Sequence, residues 1–199
     1  MADRIIIGMG GRKESGKDTV ADFLVEEHGY TKHEMSSVLH DIFMVMDPWV
    51  SVREDEAEIS EFIRPGFMRY STLCATVGYV EAKRFREVRR LLQALGTDVG
   101  RNMISEDVWV DVMRHKITNT EGNVVFTGVR YPNERALLRE LGGTAVWVNR
   151  PGLPEGDTHT SETSLGQEDF DMVLDNTADL AHLRKVADGL HRNLDRKSA

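Results

Sequence analysis

Apolar residues in this chain recur in two rhythms, and the switches between them mark its elements. Arg4-Ile5-Ile6-Ile7-Gly8 is a continuous β-branched run ending in glycines, which predicts a buried strand. After a Gly-rich turn, Thr19 to Glu27 carries Val20, Phe23 and Leu24 at helical spacing, and Gly29 stops it. Tyr30 to Met35 reads as a weaker strand. Ser36 to Met46 reads as a helix, with Val38, Leu39, Ile42 and Phe43. From Asp47 to Tyr79 no period is clean. The spacing then predicts a helix over Val80 to Leu95, striped by Val88, Leu91, Leu92 and Leu95. A helix over Asp107 to Ile117, a strand over Val124 to Val129, and a helix over Asn133 to Leu141 follow. The rest reads as strands over Thr144 to Val148 and Asp171 to Leu174, then a closing helix over Ala178 to Leu194. Strands alternating with helices predict an α/β fold with a mainly parallel sheet covered on both faces. In such folds ligands bind beyond the carboxyl ends of the strands.

Composition narrows the classes. The 199 residues suit a single domain, with a helical lobe at about 47–118. Acidic residues outnumber basic ones 33 to 25, and the net charge of −8 disfavours general binding to nucleic acid. Apolar runs of only a few residues exclude a membrane-spanning helix, and the start, MADRIIIG, is too short for a secretory signal. A single cysteine, Cys74, suits a reducing compartment, so a cytoplasmic location is expected, the host's if the source is viral. Seven histidines include no pair at a convincing metal spacing.

The strongest chemical signal is Gly11-Arg-Lys-Glu-Ser-Gly16-Lys17-Asp18-Thr19, between a strand and a helix. It fits G-x-x-x-x-G-K with Asp18 where Ser or Thr is usual. Glycines let backbone N–H groups turn inward around a polyphosphate, and a helix N-terminus adds its dipole. Gly11, Lys13, Ser15, Gly16, Lys17, Asp18 and Thr19 are therefore candidate ATP-binding residues. Lys17 is the candidate catalytic cation, able to follow charge as the terminal phosphoryl moves. Asp18 and Thr19 are the candidate Mg²⁺ contacts, Asp18 through a metal-bound water or simply as a helix-start carboxylate. A second basic cluster lies on the Val80–Leu95 helix, where Arg86, Arg89 and Gln93 share a flank at steps of three and four. An arginine fork suits a dianionic monophosphate and an amide suits a base edge; the plain alternative is a solvated basic face.

The phosphate loop ending SGKDTVADFL, the helix ending RRLLQALGTDVGR, and then VWV, VVFTGVRYPNE, VWVNRPG, THTSE and DMVLDNTADLAHL follow in that order. Together they resemble the deoxynucleoside monophosphate kinases of bacteriophages, from Ile5 to about Leu190. Phosphomevalonate kinases of the animal type share the G-K-D loop and are the runner-up. A slow nucleotide-hydrolysing switch protein is a third reading. The resemblance implies a P-loop kinase three-layer fold with a mainly parallel five-stranded sheet, an acceptor-binding helical lobe and a lid. It implies transfer of the γ-phosphoryl of ATP to a deoxynucleoside 5′-monophosphate with Mg²⁺, and allows a homodimer, since related enzymes are often dimers. It places Arg89 and Gln93 in the acceptor site, followed by Thr97 and Arg101, with Arg86 alongside. Arg130, after the third strand, becomes the candidate catalytic cation for the migrating phosphoryl, with Arg135 and Arg139 as alternates. Related chains often carry Asp where this chain has Gly128, so metal support falls to Asp18, Glu134 or Asp98. Arg150 stacks on the donor base or is a solvated loop residue. Ser161-Glu162, with His159, reads as a helix start or brace.

Overall fold

A computed structural model describes residues 4–153 and 164–198, so His159, Ser161 and Glu162 lie outside the described residues. The chain divides into two units, one made of residues 1–35 and 110–199, the other of Ser36–Trp109. The first holds a five-stranded sheet built from β1 (Ile6–Gly10), β2 (Thr31–Glu34), β5 (Val124–Thr127), β6 (Thr144–Asn149) and β7 (Met172–Asp175). Its order is β2-β5-β1-β6-β7 and every pairing is parallel. Parallel strands covered on both faces read as unbroken apolar runs, which is why the isoleucine run forms the central strand.

Alternation along β1 splits the core in two. Ile5, Ile7 and Met9 pack with Val20 and Leu24 of α1 (Lys17–His28) and with Leu183 and Leu190 of the closing helix α7 (Leu180–Ser198). Ile6 packs on the other face with Met113 and Ile117 of α5 (Val108–Thr118) and Leu137 and Leu138 of α6 (Pro132–Glu140). Helix, sheet and helix make the three layers expected from the sequence. No helix among the described residues is long and apolar enough to cross a membrane.

The second unit contains α2 (Ser37–Met46), a hairpin of β3 (Trp49–Val52) and β4 (Gly66–Arg69), α3 (Tyr70–Ala82) and α4 (Arg86–Gln93). Phe43, Val50, Val52, Ile63, Tyr70, Leu73, Phe85 and Val88 form its core, with Leu91, Leu92 and Leu95 packed against it. The hairpin and most of α3 occupy the stretch that shows no clean period in the sequence.

The single helix expected over Val80–Leu95 is two helices. α3 ends at Ala82, and the chain runs through an extended, fully buried Phe85 before α4 begins. Glu56, only 5% exposed, draws the break: its Oε1 accepts the Arg86 N–H at 2.8 Å and its Oε2 the Arg53 N–H at 3.0 Å. A carboxylate thirty residues upstream thus supplies a helix start that local spacing does not reveal. α4 passes at Ala94 into a π-wound segment, Ala94–Ile104, where the Trp109 indole N–H donates to the Gly96 carbonyl at 2.7 Å.

Candidate active site

β1 delivers the chain to the loop at the carboxyl edge of its sheet. Gly11 (φ +141°) and Gly16 (φ +95°) adopt left-handed backbone that side chains disfavour. A methyl group on Gly11 would lie 2.6 Å from the Val148 carbonyl oxygen, so the turn closes tightly onto β6. Glu14 is also left-handed (φ +64°), and Arg150 Nη1 donates to its carbonyl at 3.3 Å. Lys13 sits exposed on the loop with its ammonium 4.0 Å from Glu14.

Two polar side chains in the loop are buried. Ser15 is fully buried, and its Oγ has no hydrogen-bond partner among the described residues. Lys17 is 8% exposed, with its ammonium 3.7 Å from Asp18 Oδ2. An orphaned hydroxyl and an inward ammonium at a helix N-terminus make a site for an anion with several oxygens. Asp18, half-exposed on its first turn, and Thr19, half-buried, follow directly.

Arg130 lies at the same edge. The N–H groups of Gly128 and Val129 donate to the Met9 carbonyl at 3.0 and 3.1 Å, tying this segment to the strand that carries the loop. Glu134, 3% exposed, accepts the Arg130 N–H at 2.7 Å and the Tyr131 N–H at 3.1 Å. Glu134 is therefore engaged in capping α6. Gly128 has φ +87°, left-handed backbone in which most residues with a β-carbon are strained by about 1–2 kcal/mol. Arg135 pairs with Asp171 and donates to the Asp169 carbonyl; Arg139 is exposed. Arg150, Pro151, Asn176, Thr177 and Ala178 line a cavity of about 190 Å³.

In the second unit, Arg89, Gln93 and Thr97 follow one another at steps of four around the end of α4, with Arg89 and Gln93 exposed. Arg86 turns to Asp55, at 2.6 Å. Arg101 is half-buried in the π-wound segment and donates to the Glu106 carbonyl at 3.0 Å. Arg90 pairs with Glu87 at 2.8 Å, and that hydrogen bond holds the Glu87 carboxyl below its usual range. The described residues thus gather the loop groups, Arg130 and Arg150 at one sheet edge, and leave Arg89 and Gln93 exposed on α4 with Thr97 in the π-wound segment that follows.

A family model described as deoxynucleotide monophosphate kinase matches residues 55–186, about two thirds of the chain. The chain belongs to the deoxynucleotide monophosphate kinase family. Among curated relatives, the deoxynucleotide monophosphate kinase of Enterobacteria phage T4 is 24% identical over 228 residues, covering 89% of this chain and 95% of the relative. The deoxynucleoside-5′-monophosphate kinase of Escherichia phage T5 is 24% identical over 180 residues, covering 68% and 72%. The resemblance read from the motifs is thereby borne out, and this member of the kinase family is a phosphotransferase.

Two buried groups of this family kinase escape sequence reasoning. Asn176 donates through Nδ2 to the Ser15 carbonyl at 2.9 Å, and Glu56 starts α4. The N-E pair in RYPNE hints at the Glu134 cap, since Pro132 precedes a carboxylate two residues on. No local pattern marks Asn176 or Glu56.

Proposed function

We propose that this chain transfers the γ-phosphoryl of ATP to a deoxynucleoside 5′-monophosphate, releasing ADP and the deoxynucleoside diphosphate. The observation that carries the donor half is the loop itself: a buried Ser15 hydroxyl with no partner among the described residues, close to a buried Lys17 at the start of α1. The acceptor half rests on family membership and on Arg89 and Gln93 standing exposed four residues apart on α4.

An oxygen of the acceptor phosphate attacks the γ-phosphorus, and the bond to the β,γ-bridging oxygen breaks, leaving its electron pair on ADP. The acceptor phosphate is largely dianionic near neutral pH, with a second pKa of about 6, so no strong base is needed. Lys17 and Arg130 neutralise charge that spreads over the migrating group, while Arg89 holds the acceptor phosphate and Gln93 its base. Lys13, Ser15, the loop glycines and Arg150 bind the donor, and Arg86, Thr97 and Arg101 support the acceptor.

Mg²⁺ shields the donor phosphates when bound. Among the described residues no group of three or more His, Cys, Asp or Glu side chains forms a metal cage. Asp18 and Thr19 would be the protein's contacts to the ion, with phosphates and water as its other ligands. We place the reaction in the cytoplasm, the host's if the source is viral, because the lone Cys74 suits a reducing compartment. A homodimer is the assembly the family resemblance favours.

An assay of ADP release with each dNMP, with mevalonate phosphate and with no acceptor tests the reading. Turnover that depends on a dNMP is expected. Equal ADP release without acceptor would point to a nucleotide-hydrolysing switch, and turnover only with mevalonate phosphate to the other kinase class.

A further inference from the structure

We infer that Asn176 is a positioning residue for the donor nucleotide, its carboxamide setting the shape of the phosphate loop from the end of β7. The inference rests on the reading of Gly11–Thr19 as the cradle for the ATP phosphates.

Asn176 follows β7 directly and is 8% exposed. Its backbone N–H donates to the Asn149 carbonyl at 2.7 Å, and Asn149 Nδ2 donates to Asp175 Oδ1 at 2.9 Å. Those bonds fix the residue to the ends of two adjacent strands. From there its Nδ2 donates to the Ser15 carbonyl at 2.9 Å, in a buried bond spanning 161 residues of sequence. The carboxamide also lies against Gly16, where an added methyl group would be 2.6 Å from Nδ2.

The accepting carbonyl belongs to the peptide that joins Ser15 to Gly16. That unit is planar and trans, so its C=O and N–H point in opposite directions. Holding the carbonyl toward Asn176 aims the Gly16 N–H away from it, and orients the residues on either side, Ser15 and Lys17. These are the two buried polar side chains of the loop, and the Ser15 hydroxyl has no partner among the described residues. Asn176 also lines the cavity of about 190 Å³ with Arg150, Pro151, Thr177 and Ala178. One residue thus touches both the loop and the cavity. An aspartate here could not donate, and would set a carboxylate against the Ser15 carbonyl oxygen.

The test uses the full chain and two variants, Asn176→Asp and Asn176→Ala, the second serving if the first does not fold by circular dichroism. Calorimetric titration with tripolyphosphate and with ADP, alongside steady-state kinetics, is compared with wild type and Lys17→Ala. Both Asn176 variants are expected to bind tripolyphosphate about tenfold or more weakly and to raise the KM for ATP similarly, since the bond is buried and donated to the loop. The KM for the dNMP should stay unchanged, which general destabilisation would not produce. Wild-type tripolyphosphate affinity in both variants overturns the inference, and so does weakened ADP binding with tripolyphosphate binding intact, which makes Asn176 a wall of the cavity only. If Lys17→Ala also binds and turns over ATP normally, the cradle reading itself fails.

Discussion

Lys17 is a cation that the fold holds nine-tenths buried, with a carboxylate 3.7 Å from its ammonium. Burial of that kind is costly unless an anion completes the site, and the nearby Ser15 hydroxyl, which has no partner among the described residues, would be satisfied by the same anion. Lys17→Ala is therefore expected to fold and to lose turnover by about 10²-fold or more, measured by ADP release. Near-normal turnover in the folded variant would remove Lys17 from the chemistry. Arg89 and Arg130 separate by kinetics. On the proposed reading Arg89 holds a phosphate that is present in both ground and transition states, so Arg89→Ala should chiefly raise the KM for the dNMP. On the same reading Arg130 meets charge as the phosphoryl migrates, so Arg130→Ala should chiefly lower kcat. An unchanged KM in Arg89→Ala would return the exposed flank of α4 to a solvated basic face.

Helices α4 and α6 begin on carboxylates that belong to the packing rather than to the helix period. Glu56 reaches α4 from a separate segment, and Glu134 folds back from within α6 to hold the N–H groups of Arg130 and Tyr131. Glu134→Ala would leave two N–H groups in a half-buried turn without that acceptor, at a cost of about 1–3 kcal/mol. It should also lower kcat, because the backbone that presents Arg130 loses its anchor. Thermal unfolding and kinetics on the same variant check both parts. A lowered Tm with kcat unchanged would confine Glu134 to stability.

Helices α1 and α7 also meet through a pair of histidines, at the end of α1 away from the loop. The rings of His28 and His191 stack at 3.9 Å, Tyr30 Oη lies 3.1 Å from His191 Nδ1, and His28 Nε2 is 3.3 Å from Asp188. Burial lowers the His191 pKa below the ordinary imidazole value, and His28 and Arg192 lower it further against the pull of Asp195 and Asp188. The folded chain therefore binds fewer protons here than the unfolded chain. This contribution is complete above the unfolded pKa of about 6.5 and is lost as pH falls through it toward the folded value. The Tm should drop between pH 7.5 and 5.5, and His191→Phe should drop less steeply. Equal slopes in the two proteins would show that other groups set the acid sensitivity.

The parallel sheet, its two helical layers and the phosphate loop were legible in the sequence because each is written in neighbouring residues. The isoleucine run, the G-x-x-x-x-G-K spacing between strand and helix, and the leucines of the closing helices each need only a short window. The order of the motifs was likewise enough to identify the family. What the tertiary structure alone decided depends on groups distant in sequence meeting in space. Glu56 breaks the helix that the leucine stripe predicts, and Arg86 is drawn to Asp55. Gly128 occupies a left-handed turn bonded to Met9. Asn176 grips a loop 161 residues away, because a buried carbonyl must be satisfied and only the fold brings a donor to it.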